Sequence, residues 1–205
     1  MARCLVIDYG LGNLASVTHA LEHCGAEVAV RNEPGQMDVY SHLVLPGVGA
    51  FAEGMRNLHE RGWVDAIREA VYDRQVRLLG VCLGMQLLAD RGEEGGDTEG
   101  LGLIEGSVER LTPDTPETRV PHVGWNEVHV AREHALMDSA LDGSDFYFVH
   151  SYHLVPGNRE QVVATTPYCG QFAAVVAAGT VIGFQFHPEK SQKLGLRLLS
   201  RVLAN

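Results

Sequence analysis

The sequence predicts an α/β protein whose central sheet is mostly parallel and is flanked by helices. In the first half of the chain, short apolar runs such as Cys4–Ile7 alternate with helical patterns, and this alternation is typical of parallel sheets with helices on both faces. After Gly92, strand patterns dominate, so we expect a strand-rich C-terminal half. At this length, residues 1–205 are expected to form a single domain.

In the N-terminal half, continuous apolar runs indicate strands and a 3.6-residue periodicity indicates helices. The run Cys4–Ile7 is predicted to be a buried strand, and the glycine-rich segment Asp8–Asn13 a turn. Asn13 is a good helix cap and Gly25 a typical helix terminator, so a helix is predicted between them. The other elements predicted in this half are strands at Glu27–Arg31, His42–Leu45 and Leu78–Leu79, and helices at Trp63–Tyr72 and Met85–Ala89.

The C-terminal half is predicted to consist mainly of strands that end in one helix. The segment Ala178-Gly179-Thr180 has the composition of a hairpin turn, and Lys193–Leu203 repeats leucine or valine every four residues on one helical face. The predicted strands are Leu101–Leu111, Val128–Ala131, Phe146–Val155, Val162–Thr166, Phe172–Ala177 and Val181–Phe186, with loops at Glu93–Asp97 and Thr112–Thr118.

Composition and charge exclude several classes of protein. The chain has 45% hydrophobic and 20% charged residues, and 26 acidic against 16 basic residues give a formal net charge of −10. This balance argues against nucleic acid as the main partner. The N-terminal apolar run is too short for a signal peptide, and no run reaches transmembrane length. We therefore expect a cytoplasmic protein that binds neither nucleic acid nor membrane.

The cysteines and histidines indicate neither a disulfide framework nor a metal site. The four cysteines are scattered and include no CxxC pair, unlike those of small secreted proteins. His150 and His153 have a spacing that occurs among metal ligands, but residues three apart on one strand face opposite sides of the sheet. We therefore expect no metal and no other cofactor.

The most informative segment is Gly80–Gln86, in which Cys82 stands between two glycines after an apolar run and before a helical pattern. Strand, Gly-x-Cys-x-Gly and helix form the layout of a nucleophile elbow with cysteine in place of serine. Such a turn strains the backbone of the nucleophile and points it at a helix N-terminus, where thiolate is favoured over thiol. The sequence therefore predicts covalent catalysis by Cys82; the alternative is a buried, inert cysteine at the end of a strand.

A base for this thiol is predicted at the end of the last strand. His187 ends that strand and begins the segment His187-Pro188-Glu189. Because positions i and i+2 of extended backbone point the same way, Glu189 can reach one imidazole nitrogen while Cys82 meets the other. Pro188 fixes the backbone between them. Taken alone, the segment is more typical of a strand-end histidine beside a solvated glutamate, and the elbow at Cys82 reverses that preference.

Acyl transfer also needs backbone N–H groups that stabilise the developing oxyanion. The glycine-rich segment Leu45–Phe51 follows a predicted strand, and Val48 or Gly49 within it is a candidate for one donor. Leu83, which follows the nucleophile, is the candidate for the other. Phosphate binding is a weaker interpretation, because neither glycine-rich segment carries a Walker lysine or a complete GxGxxG motif.

These three motifs, in this order, resemble the class I, triad-type glutamine amidotransferases over essentially the whole chain. Two further segments, Asp8–Asn13 and Pro121–Asn126, together with the Pro-Gly-Val-Gly loop, resemble one branch of that family, the glutaminase subunits of imidazole glycerol phosphate synthases. The resemblance implies a flavodoxin-like fold. It also implies an activity, the release of ammonia from glutamine, and a partner, a (β/α)-barrel cyclase subunit of histidine biosynthesis with which the chain forms a heterodimer.

The resemblance also implies a role for individual residues. Cys82 attacks the glutamine carboxamide, His187 transfers protons, and Glu189 holds His187. Gln86 and Glu94 bind the glutamine head group, to which Ser151 and Tyr152 contribute mainly through their backbone. The residues implied to lie toward the cyclase are Tyr9, Asn13, Trp125 and Lys190.

Other functions remain open at this point. The chemistry also fits the glutaminase of another synthase, such as one that makes pyridoxal phosphate or anthranilate, although the Pro-Gly-Val-Gly loop disfavours it. A free-standing thiol hydrolase of γ-glutamyl compounds is an alternative from another class, as is a non-catalytic interaction subunit. A branched residue at Val48 leads to one further hypothesis, in which its N–H turns toward the substrate only after the partner binds.

Overall fold

The structure, a computed structural model, describes residues 1–204. In the N-terminal half the elements are β1 (Arg3–Ile7), α1 (Leu14–His23), β2 (Glu27–Arg31), β3 (His42–Gly47), α2 (Phe51–Glu60), α3 (Trp63–Tyr72), β4 (Arg77–Cys82) and α4 (Leu83–Gln86). They are followed by β5 (Arg91–Gly92), β6 (Thr98–Glu99), β7 (Gly106–Arg110), β8 (His122–Val130), β9 (Ser144–His150), β10 (Tyr152–Pro156), β11 (Val162–Thr166), β12 (Phe172–Ala178), β13 (Val181–Phe184) and α5 (Gln192–Ala204). None of the helices in this part of the chain combines the length and apolar character needed to cross a bilayer.

A nine-stranded sheet forms the centre of the molecule, in the order β2-β1-β3-β4-β13-β12-β11-β8-β9. The pairings from β2 to β13 are parallel, and those from β13 to β9 are antiparallel. The predicted α/β class with flanking helices is confirmed. The sheet is a mixed one because strands of the C-terminal half extend it from β13 outward.

Alternate residues of the strands pack into two separate cores, one on each face of this sheet. On β1, Leu5 and Ile7 belong to the core beneath α2 and α3, whereas Cys4 and Val6 belong to the core beneath α1 and α5. All four side chains are fully buried, as expected for a strand with helices on both sides. A smaller sheet, β10-β7-β5-β6, contributes Val108 to the first of these cores.

Several predicted boundaries agree closely with the structure. The side chain of Asn13 accepts a hydrogen bond from the backbone N–H of Ser16, at 3.3 Å, and so caps α1. Gly25 follows the end of α1 with φ +89°, a conformation that glycine adopts at little cost. The predicted hairpin around Gly179 joins β12 to β13, which pair antiparallel.

Helix α2 was not predicted, although Phe51, Met55 and Leu58 are spaced to bury one face and do so. Gly54 within it weakens the helical signal. The structure explains this glycine, because a Cβ at Gly54 would come within 3.1 Å of the Leu87 side chain. The predicted helix Met85–Ala89 is also displaced: α4 is a single turn that ends at Gln86.

Two predicted strands are shorter or interrupted. Only residues 106–110 of the predicted strand Leu101–Leu111 are extended as β7. The predicted strand Phe146–Val155 is broken at Ser151, so that β9 belongs to the nine-stranded sheet and β10 to the smaller one. The expectation that His150 and His153 share a strand is therefore wrong, and Ser151 stands where the chain passes between the sheets.

Candidate active site

Cys82 occupies a strained turn between β4 and α4. Its φ of +54° and ψ of −112° lie in a region that residues with a side chain rarely adopt. A Cβ at Gly84 would overlap the carbonyl oxygen of Leu45, and one at Gly80 would lie 2.6 Å from the carbonyl oxygen of Gly84. The two glycines are thus required by close backbone packing, as the elbow motif predicts. Because α4 is only one turn long, its dipole is weaker than that of the helix predicted to follow the elbow.

The glycine-rich loop after β3 lies directly beside this elbow. Gly47 pairs with Cys82 in the parallel ladder between β3 and β4, which brings Val48 and Gly49 to the nucleophile. A side chain at Gly47 would overlap the hydroxyl of Tyr9. Gly49 has φ +121°, and the Val48 side chain is 42% exposed.

His187 and Glu189 form a buried pair behind the thiol. The Nδ1 atom of His187 lies 2.8 Å from Oε1 of Glu189, and their side chains are only 3% and 2% exposed. The backbone of His187 is held on both sides, since its N–H donates to the carbonyl of Tyr147 and its own carbonyl accepts from the Ser191 hydroxyl at 2.6 Å. The imidazole is therefore fixed by the end of the sheet and by the carboxylate.

The electrostatics of this pair stabilise the imidazolium that forms when His187 accepts a proton. Burial acts to lower the pKa of His187, but its interactions with the Cys82 sulfur and with Glu189 outweigh burial and raise this pKa to about 9. The Nε2 atom has no hydrogen bond of normal geometry among the described residues. The His187 imidazole and the Cys82 thiol thus interact in a loose geometry, which is common in unliganded active sites.

A cavity of about 430 Å³ opens in front of the thiol. Its walls include eight residues that were predicted for the site: Val48, Gly49, Cys82, Leu83, Gln86, Glu94, Ser151 and Tyr152. A larger cavity of about 650 Å³ lies at residues 130–142, and none of the predicted site residues lines it. The chemistry of the lining, rather than the volume, therefore identifies the candidate site.

Gln86 is held by two hydrogen bonds that use both hydrogens of its amide. Its Nε2 donates to the carbonyl of Tyr152 at 2.7 Å and to Oε1 of Gln185 at 3.1 Å. Gln185 is fully buried, and its own Nε2 lies 3.9 Å from the Cys82 sulfur. Gln185 was not predicted for the site, although its place two residues before His187 put it on the same side of the chain.

Glu94 is anchored at the start of α2. Its Oε2 accepts a hydrogen bond from the backbone N–H of Phe51 at 3.1 Å, and the backbone N–H of Ala52 donates to the Glu94 carbonyl. Burial raises the pKa of this carboxyl above its usual range, and the bond from Phe51 partly offsets the rise. Glu94 thus places an acidic group at one end of the cavity.

Three of the four residues predicted to face a partner lie on the surface. Asn13 and Lys190 are exposed, and Trp125 is 47% exposed. The Lys190 ammonium lies 5.8 Å from the ring of Tyr147, and that ring contacts Trp125 edge to face at 6.0 Å. Lys190, Tyr147 and Trp125 therefore form a continuous aromatic and basic patch.

Tyr9 differs from this expectation, because its side chain is fully buried. Its hydroxyl has no hydrogen-bond partner among the described residues, and burial, with a smaller contribution from Cys82, raises its pKa. A surface role for this side chain is a misassignment. The sequence could not reveal it, because the pocket that encloses Tyr9 is formed by Gly47 of the neighbouring segment.

Comparison with known proteins identifies the family. The family model "Glutamine amidotransferase class-I" matches residues 5–203. The chain is 50% identical to "Imidazole glycerol phosphate synthase subunit HisH" of Moorella thermoacetica, over 95% of this chain and 90% of that protein. It is 48% identical to the protein of the same name in Geobacillus thermodenitrificans, over 96% and 92%.

Among solved structures, the fold is similar to one described as "Crystal structure of glutamine amidotransferase", with a TM-score of 0.76, 20% identity, and coverage of 98% and 99% of the two chains. The family model covers nearly the whole chain, and the relatives of similar length exceed 40% identity. This chain belongs to the class-I glutamine amidotransferase family.

Proposed function

We propose that this chain is the glutamine-hydrolysing subunit of an imidazole glycerol phosphate synthase, in histidine biosynthesis. The observation that carries the proposal is a thiol on a strained elbow, beside the buried His187–Glu189 pair and at the wall of a cavity large enough for an amino acid. The names of the relatives at 42–50% identity support the same assignment.

In the first half of the reaction, the sulfur of Cys82 attacks the carboxamide carbon of glutamine. The thiol proton passes to His187, whose raised pKa favours the imidazolium that results. The N–H of Leu83 and an N–H of the Val48–Gly49 segment stabilise the oxyanion. The carbon–nitrogen bond then breaks, His187 delivers a proton to the leaving nitrogen, and ammonia departs from a glutamyl thioester.

In the second half, water hydrolyses the thioester. His187 takes a proton from the attacking water, the carbon–sulfur bond breaks, and glutamate leaves as the proton returns to the Cys82 sulfur. Glu189 acts on His187 alone: it holds Nδ1 at 2.8 Å and stabilises the positive charge of the ring. Cys82, His187 and Glu189 together form the proposed catalytic triad.

Recognition of glutamine is assigned to the polar wall of the cavity. The carboxylate of Glu94 complements the ammonium of the substrate. Since both amide hydrogens of Gln86 are already bonded, its carbonyl oxygen is the group left to accept a hydrogen bond from the substrate. The backbone at Ser151 and Tyr152 completes the head-group site.

The ammonia is proposed to pass to a (β/α)-barrel cyclase that binds this chain as the second subunit of a heterodimer. Ammonia released into water at neutral pH would be protonated and lost as a nucleophile, so glutamine hydrolysis is useful only next to the acceptor. Asn13 and the patch of Lys190, Tyr147 and Trp125 are the surface assigned to this partner. The acceptor chemistry and the lyase activity belong to the assembled synthase.

The decisive experiment measures glutamate release by the chain alone, with the cyclase, and with the cyclase and its nucleotide. We expect a slow rate alone and a much higher rate in the complete system, with Cys82→Ala inactive in all three. The cyclase should also make product from ammonium salts at raised pH without this chain, because every assigned residue acts before ammonia leaves.

The outcomes separate the competing functions. Equal glutamate release in all three states would favour a free-standing hydrolase of γ-glutamyl compounds. Activation by a pyridoxal phosphate or anthranilate synthase partner, and not by the cyclase, would assign the chain to another pathway. A complete system that releases no glutamate would overturn the proposal altogether.

A further inference from the structure

A chain of hydrogen bonds crosses the core from strand β8 to the glutamine cavity, and it begins with two histidines outside the proposed triad. His122 and His150 lie directly opposite each other in the antiparallel pair β8 and β9. Both side chains are buried. The Nδ1 atom of His122 and the Nε2 atom of His150 are 3.1 Å apart.

The acceptors fix the tautomer of both rings. The Nδ1 atom of His150 lies 2.8 Å from the carbonyl oxygen of Tyr152, and a carbonyl only accepts, so this nitrogen carries the proton. Nε2 of neutral His150 is then an acceptor, and Nδ1 of His122 must donate to it. Nε2 of His122 accepts in turn from the amide of Asn126, at 3.2 Å.

The amide of Asn126 is oriented as this chain requires. Its oxygen accepts a hydrogen bond from the backbone N–H of Glu127 at 2.9 Å, which leaves the nitrogen to face His122. The His122 ring is stacked between Phe148, at 4.8 Å, and Tyr168, at 3.9 Å. Burial lowers the pKa of His122 to about 4 and that of His150 to about 3, which agrees with two neutral rings at neutral pH.

At its inner end the chain meets the groups that surround the nucleophile. The carbonyl of Tyr152 accepts from both His150 and Gln86. Gln86 then donates to Gln185, whose amide nitrogen faces the Cys82 sulfur. The donors run in one direction from Asn126 through His122 and His150 to the carbonyl of Tyr152. That carbonyl is the common acceptor at which this segment meets the donation from Gln86.

We propose that His122 and His150 are positioning residues for glutamine hydrolysis, which hold the Tyr152 carbonyl, and through it the Gln86 amide, in the geometry that binds the substrate. The inference rests on the proposed function. His150 lines the glutamine cavity and His122 does not, and neither ring is assigned a step of the reaction. Their action is to fix a carbonyl that carries two hydrogen bonds, so that Gln86 presents its free oxygen to the cavity.

The test compares two substitutions of His122 in the complete synthase with the cyclase and its nucleotide. His122→Phe keeps the stacked ring and removes the donor, whereas His122→Asn keeps a donor near the position of Nδ1. We expect His122→Phe to raise KM for glutamine by about tenfold, the size expected for one lost hydrogen bond, with kcat changed by less. His122→Asn should recover most of this loss, and His129→Phe, on the same strand but outside the chain, should match the unsubstituted protein.

A double-mutant cycle keeps the proposal testable if His122→Phe also weakens the fold. In a Gln86→Leu background, His122→Phe should raise KM no further, because its effect passes through Gln86. Alkylation of Cys82 by iodoacetamide should proceed at an unchanged rate, since the elbow does not depend on His122.

Three results would overturn the inference. One is an unchanged KM in His122→Phe, another is equal impairment by Phe and Asn, and the third is an additive effect with Gln86→Leu. If the unsubstituted synthase releases no glutamate, the proposed function fails, and that result is visible before any variant is compared.

Discussion

Cys4, Cys169 and Cys82 lie in different environments, and the differences favour Cys82 as the nucleophile of the proposed reaction. Burial raises the pKa of the Cys4 thiol to about 11, so this cysteine stays protonated beneath the sheet. Burial, with a smaller contribution from Asp114, also raises the pKa of Cys169. Cys82 instead stands on the elbow between β4 and α4, where it interacts with His187. Residues of one type thus have different chemistry in one fold.

An electrophilic glutamine analogue should label Cys82 and spare Cys4, Cys24 and Cys169. The reason is that only Cys82 combines an elbow geometry with a neighbouring imidazole and a substrate-sized cavity. Peptide mapping by mass spectrometry checks the site, and Cys82→Ala provides the unlabelled control. A label on any other cysteine would remove Cys82 from its assigned role.

His187→Ala should lose nearly as much glutaminase activity as Cys82→Ala, on the order of 10⁴-fold or more, because the members of a triad act as a unit. Glu189→Gln should lose clearly less, since an amide retains part of the orientation of His187. Steady-state glutamate release in the complete synthase provides the measurement. A severe Glu189→Gln variant beside a mild His187→Ala variant would reverse the assignment of base and orienting group.

At the scale of elements, the site is assembled where two parallel strands end together. The register that pairs Gly47 with Cys82 places the loop after β3 against the elbow after β4, in keeping with the general position of sites at the carboxyl edge of α/β sheets. The break between β9 and β10 supplies the opposite wall, through Ser151 and Tyr152. The cavity therefore lies where three chain segments leave regular structure.

The loop after β3 is predicted to limit hydrolysis until the partner binds. Val48→Gly should raise the rate of the isolated chain, because glycine adopts either peptide orientation at low cost. Val48→Pro removes the N–H and should lower the rate of the complete synthase by about 10²–10³-fold, the usual effect of one oxyanion donor. Val48→Ala, which keeps the N–H, is the matched control. Glutamate release that is insensitive to all three changes would exclude gating by this loop.

At the scale of the whole molecule, buried histidines link stability to pH. In the folded protein the pKa values of His122 and His150 lie at about 4 and about 3, below the ordinary value of about 6.5. The unfolded chain therefore binds protons below pH ~6.5 that the folded chain does not. The contribution of these two groups to the free energy of unfolding is fully present above that pH and is lost as the pH falls. The raised pKa of His187 acts above pH ~6.5, where its contribution is lost as the pH rises, so it does not oppose the loss in acid.

The free energy of unfolding should accordingly fall between pH ~6.5 and ~5, with a slope that approaches about 1.4 kcal/mol per pH unit for each of the two histidines toward pH ~5. His122→Phe should lower the number of protons taken up on unfolding by about one, and so should lower the slope by about 1.4 kcal/mol per pH unit. Urea titrations across the pH series measure both quantities, with His19→Asn, on the exposed side of α1, as the control. A slope that His122→Phe leaves unchanged would show that His122 does not titrate as its burial requires.

The sequence predicted the proposed triad, the oxyanion loop and the substrate residues because each depends on a short segment whose local geometry is encoded nearby. Asn13 caps α1 from three residues away, and the strained backbone of Cys82 needs glycines within two positions. Helix α2 carried a readable signal at Phe51, Met55 and Leu58. Gly54 within the helix weakens that signal.

The sequence by itself determined the α/β class and the strained elbow at Cys82, since strand and helix periodicity, turn residues and motif spacing are local properties. Only the tertiary structure decided that Tyr9 is buried, that Gln185 faces the nucleophile, and that His122 meets His150. These facts depend on which strands pair and in what register, and a shift of one residue between β8 and β9 would turn His122 to the other face. Register is fixed by the packing of the whole sheet, so contacts between distant segments follow from the fold rather than from any one segment.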